Sequence, residues 1–195
     1  MKNQSNIQDV KLKIRSARLK ANNEIEYSSV NSLFDYMRED KVLARKMINS
    51  FNELYCYDKS LINPGLYNSF NHVINHVCER AIVFRYAHYL LNSINANSKY
   101  NEYDLDCEYN RNCNSIKETR NFPKGTYPDL IIHKRETNCD NLLVIEFKTW
   151  WNHKTKRDII KITDFMSSAD NYHFKYGMSI ILNKDSVTIN CVEPR

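Results

Sequence analysis

The sequence predicts an α/β domain, and three observations carry that reading. Apolar residues recur at three- and four-residue steps up to about residue 94 and again over 154–168, the spacing of amphipathic helices. Short runs rich in Leu, Ile and Val, bounded by turn residues, separate and follow these stretches and read as strands. One run, Leu142-Leu143-Val144-Ile145, is apolar in both side-chain directions, as expected of a strand buried on both faces of a helix-covered sheet. The element order is helix, three strands, helix, two strands.

Residues 1–62 form an N-terminal basic and helical extension. Its charge is concentrated at the start: Lys2, Lys11, Lys13, Arg15, Arg18 and Lys20 face only Asp9, which accounts for the whole net charge of +5. Such a segment attracts phosphates in a salt-dependent way, or is simply a solvated terminus. From about 28 to 56, Val30, Leu33, Phe34, Met37, Leu43, Met47, Ile48, Phe51 and Leu54 predict two short helices.

Residues 63–195 hold the α/β domain. Asn63-Pro64-Gly65 is a turn signal, after which Phe70, Ile74, Val77, Ala81, Phe84, Ala87 and Leu91 predict one long helix from about 66 to 94. Weak alternation predicts a strand over 103–110, and the polar stretch 111–126, with Pro123 and Gly125, a loop. Strands are expected at 128–134 and 142–149, a helix at 154–168, and a final pair at about 174–183 and 186–192 split by Asn183-Lys184-Asp185. Six cysteines without a C-x-x-C pair read as reduced thiols in a cytoplasmic protein. No apolar run approaches the roughly 18 residues that span a bilayer, so no membrane partner is expected.

The chemistry-bearing feature is Glu146-Phe147-Lys148, which ends the most apolar strand. Alternation sends Glu146 and Lys148 to one face and Phe147 to the other, so a carboxylate and an ammonium project together from a core element. Asp9-Val10-Lys11 and Glu39-Asp40-Lys41 share the acid-x-Lys spacing but not the strand context. Only Glu146-Phe147-Lys148 is preceded by a second strand opening on Pro128-Asp129.

This arrangement resembles the PD-(D/E)xK nuclease superfamily, over about residues 66–192. The resemblance implies a restriction-endonuclease-like core: α-β-β-β-α-β, a mixed central sheet flanked by helices. It implies that Asp129 and Glu146 hold a metal ion, that Lys148 acts on the attacking water, and that Glu79 supplies a further carboxylate, as metal ligand, from the first helix. Asp106-Cys107-Glu108-Tyr109-Asn110 resembles the first-strand segment of small bacterial members. DNA is the substrate the family implies.

The residue types suit that chemistry on their own terms. Magnesium, or manganese, is commonly held by one or two carboxylates, with waters and substrate oxygens completing the shell. Such an ion neutralises charge on a scissile phosphate and acidifies a bound water, while a lysine stabilises developing negative charge. Taken alone, the acids and lysine suit RNA equally well. They also fit an ion pair at a polar strand end, with Asp129 a turn residue after Pro128.

Asp158 and Lys161 face substrate on one reading and solvent on the other. Trp150 either stacks on a base or packs the strand end against the next helix. His72 and His76 have zinc-helix spacing, but Val73 occupies the glutamate's place. With glycine only at 65, 125 and 177, phosphate-cradling loops are excluded. The expectation is therefore a metal-dependent nuclease acting on DNA; the alternative is a non-catalytic nucleic-acid or protein binding module that keeps the fold. The extension suits a DNA clamp, a homodimer interface or a cover for the core, and nothing in the sequence identifies a further protein partner.

Overall fold

The computed structural model describes residues 9–63 and 76–194. Its centre is a mixed sheet of seven strands. Three of these, β3 (Asp104–Cys107), β6 (Leu130–His133) and β7 (Leu143–Thr149), pair antiparallel. A crossover through α5 (Lys156–Met166) then brings β8 (Tyr176–Leu182) parallel to β7. The turn 183–185 returns the chain as β9 (Ser186–Val192), antiparallel to β8. The hairpin β1 (Lys11–Leu19) and β2 (Ile25–Ser29) closes the far side, with β1 parallel to β9.

Helices cover both faces. On one lie α1 (Leu33–Tyr36), α2 (Lys41–Tyr57), α3 (Lys59–Ile62) and α4 (Glu79–Asn95), whose buried side chains share one core with Leu143, Ile145 and Phe147 of β7. On the other, α5 packs Ile159, Ile162 and Phe165 against Val144, Val192 and Ala17. Leu142, Leu143, Val144 and Ile145 are all buried, as their apolar run predicts. Among the described residues, no helix is long and apolar enough to cross a membrane, and the cysteines are all free.

The structure differs from the sequence expectations at three places. The basic leading segment forms strands β1 and β2 rather than only helices. In β1 the charges of Lys11 and Lys13 take the exposed positions while Leu12 and Ile14 pack on the core, an alternation hidden under the net charge. Helix α4 starts at Glu79, not near 66, because residues 76–78 are not helical; the expected turns over 64–75 lie outside the described residues. Apolar spacing records which side chains are buried, not where helical hydrogen bonding begins. Finally, the expected loop at 111–126 contains a small hairpin, β4 (Arg111–Asn112) with β5 (Ser115–Ile116).

Candidate active site

Six charged side chains from α4, the start of β6, β7 and α5 meet at one end of the sheet. Glu79 stands in the first turn of α4, where the helix dipole favours a carboxylate. Asp129 immediately precedes β6, and its Oδ2 accepts a hydrogen bond from the backbone N–H of Phe147 at 2.6 Å, which pins it to the next strand. Alternation in β7 directs Phe147 into the helix-covered core and Glu146 and Lys148 toward α5.

Lys148 is the hub of the first cluster. Its Nζ donates to Oε1 of Glu79 at 3.1 Å and to the carbonyl of Phe147 at 2.7 Å, and lies 3.5 Å from Oδ2 of Asp158. Glu146, only 1% exposed, is answered by Lys161, whose Nζ donates to Oε2 at 2.7 Å and to the carbonyl of Tyr127 at 3.2 Å. Asp158 and Lys161 stand one turn apart on α5, so one helix face reaches both clusters. The structure thus brings together Glu79, Asp129, Glu146, Lys148, Asp158 and Lys161.

Desolvation sets the electrostatics. Burial pushes the Glu146 carboxyl well above the usual carboxylate range, with the charge of Asp129 adding and Lys161 opposing. Glu79 and Asp158 are also raised, in each case by burial first, and Lys148 only partly offsets it. Burial pulls Lys148 down, yet the carboxylates of Asp158 and Glu79 outweigh it and leave the ammonium above the ordinary lysine value. Four carboxylates against two ammoniums leave an excess of two negative charges when all are ionised. Oε2 of Glu79, Oε1 of Glu146 and Oδ2 of Asp158 are buried without a hydrogen-bond partner, the last 3.5 Å from the Lys148 ammonium, an arrangement that costs free energy unless another donor or a cation answers it.

No family model, curated protein or solved structure matches this chain. Among the described residues, no group of three or more His, Cys, Asp or Glu side chains is gathered tightly enough to hold a metal ion by itself. The hard oxygen donors and the three unanswered carboxylate oxygens nonetheless suit magnesium or manganese, which accept one or two carboxylates and leave the rest of the shell to water and substrate.

Trp150 stands outside the charged cluster. Its Nε1 donates to the carbonyl of Ile62 at 2.9 Å, and Lys184 lies over its ring at 4.4 Å. Trp151 stacks on His76, centroids 4.2 Å apart. Glu108 pairs with Arg80 at 3.0 Å, and its backbone N–H donates to the carbonyl of Asp129 at 3.3 Å. Sequence reasoning missed the Lys161–Glu146 pair and the pinning of Asp129. The first had a faint signal in the i, i+3 spacing of Asp158 and Lys161; the second is a backbone contact that no side-chain pattern announces.

Proposed function

We propose that this protein is a metal-dependent nuclease that hydrolyses phosphodiester bonds of DNA, with a restriction-endonuclease-like core running from α4 to β8. The observation that carries this reading is the gathering of four carboxyl groups around Lys148 and Lys161, with three carboxylate oxygens left without hydrogen-bond partners. A divalent cation supplies the two missing positive charges and, when bound, neutralises the scissile phosphate and acidifies a bound water. Glu146, Asp129 and Glu79 are the residues to hold it.

The chain's own groups have separate tasks. The backbone N–H of Phe147 orients Asp129, and Lys161 holds one oxygen of Glu146 so that the other is presented. Lys148 keeps its charge because two carboxylates outweigh its burial. It orients the attacking water and stabilises negative charge that develops on the phosphoryl oxygens. Its bond to Glu79 limits its rotamers in advance of substrate.

Support for a nucleic-acid substrate comes from charge placement. Register runs from Lys148 to Ile181, Thr188 and Lys13, so exposed Lys11 and Lys13 lie at the same end of the sheet, three strand spacings or about 14 Å away. A binding module that keeps the fold without turnover is separated by Glu146→Gln, assayed for DNA cleavage and DNA affinity side by side. The nuclease reading predicts cleavage down at least a hundredfold with affinity nearly unchanged. Equal turnover by wild type and variant contradicts it.

A further inference from the structure

Beneath α5 a row of polar side chains crosses four strands. Glu146 of β7 faces Ser179 of β8, Ser179 faces Asn190 of β9, and Asn190 faces Arg15 of β1. Directly paired residues project from the same side of a sheet, so these four stand in line on the face that α5 covers. Ser179 and Asn190 are fully buried. The row on one side, Val144, Gly177, Val192 and Ala17, carries no polar side chain, while the row on the other, Lys148, Ile181, Thr188 and Lys13, leads out to the exposed lysines.

Three atoms of this line have no hydrogen-bond partner: Oε1 of Glu146, Oγ of Ser179 and Nδ2 of Asn190. The Nε of Arg15 donates to Oδ1 of Asn190, which turns the amide so that its NH2 is the free group. Arg15 itself is partly exposed, its guanidinium 3.9 Å from the Tyr27 ring centroid. A buried polar group left unanswered costs stability, and native interiors meet such groups with ordered water that makes about two to four hydrogen bonds. Strands stand about 4.8 Å apart, a gap that one water spans with two hydrogen bonds of about 2.8 Å.

We propose that Ser179 and Asn190 are positioning residues: they hold buried water against the free oxygen of Glu146 and so fix that carboxylate for the metal. The role rests on the nuclease reading above. A carboxylate oxygen has two lone pairs, so a water on the Ser179 side leaves the other for a cation. Ligating carboxylates are commonly braced in this way, and loss of the brace weakens metal affinity or activity by about tenfold to a hundredfold. The line also gives the β1–β2 hairpin a part in the site, since Arg15 closes the row and orients Asn190.

The test uses the full chain and Mn2+ as probe. Wild type, Ser179→Ala and Asn190→Leu are compared by a high-resolution crystal structure, by calorimetric Mn2+ binding and by thermal unfolding. The expected result is a water within hydrogen-bond distance of Ser179 and Glu146 in wild type, absent in Ser179→Ala. Mn2+ dissociation constants should rise about tenfold in both variants with melting unchanged, which a merely structural role does not produce. A dry row in wild type overturns the proposal whatever the metal data show. Water present but Mn2+ affinity unchanged in both variants overturns the positioning role and leaves the nuclease reading standing. Wild type that binds no Mn2+ removes both.

Discussion

Glu146 and Lys117 are both buried charges with different company. Glu146 has a short ion pair with Lys161 and lies within the field of two other carboxylates, Asp129 and Asp158. Lys117 is only 2% exposed and rests among the rings of Tyr172, Tyr109 and Phe165, its Nζ between 5.1 and 5.9 Å from their centroids. Burial pushes its ammonium down to about 8. The unfolded chain, with an ordinary lysine near 10.4, binds more protons between those two values, so stability rises with pH across that window. Lys117→Met should be more stable than wild type at pH 7 by roughly 1 to 3 kcal/mol, the cation–π contacts offsetting part of the gain. Denaturant unfolding at pH 7 and pH 10 checks this: the wild type gains on the shift to pH 10 and the variant does not gain from this residue.

At the scale of elements, α5 is the one whose seat matters most, because it carries Asp158 and Lys161 to the strand end. Gly177 on β8 sets its closest approach: a Cβ there would lie 2.3 Å from Cγ2 of Ile162 and 2.4 Å from Sδ of Met166. Gly177→Ala should therefore cost about 1 to 3 kcal/mol of stability through overpacking, and lower cleavage by more than the lost stability explains, since α5 must shift. Unfolding free energy and turnover measured on one preparation decide it; an unchanged turnover would show that α5 holds its place. The elements differ in how plainly the sequence announced them. Strand β7 was legible because its apolar run has no competing reading, and with it the side to which Glu146 and Lys148 point. Strand β1 was not, because its alternate lysines read as a solvated terminus until β9 supplies a partner. The start of α4 was hidden because Val77 continues the apolar spacing before the helix begins. Which residues of the site bond to one another was also beyond the sequence: the Lys161–Glu146 pair depends on how α5 lies across the sheet.

For the whole molecule, the strand hairpin at the N-terminus moves the basic excess onto the sheet. Lys11 and Lys13 stand at the strand ends shared with Lys148 and are exposed. If this end receives a phosphate backbone, the double variant Lys11→Glu, Lys13→Glu should weaken DNA binding at low salt and lower the salt dependence of log K by about two. Binding isotherms at several salt concentrations give that slope, and an unchanged slope places the nucleic acid elsewhere. Turnover at the strand end is a separate matter and is the central claim. It is tested most directly by incubating plasmid DNA with the purified protein in magnesium, manganese or EDTA, beside Lys148→Ala. The account predicts cutting that needs the metal and is lost in the variant; cutting that persists in Lys148→Ala, or a wild type that leaves DNA intact with either metal, would contradict it.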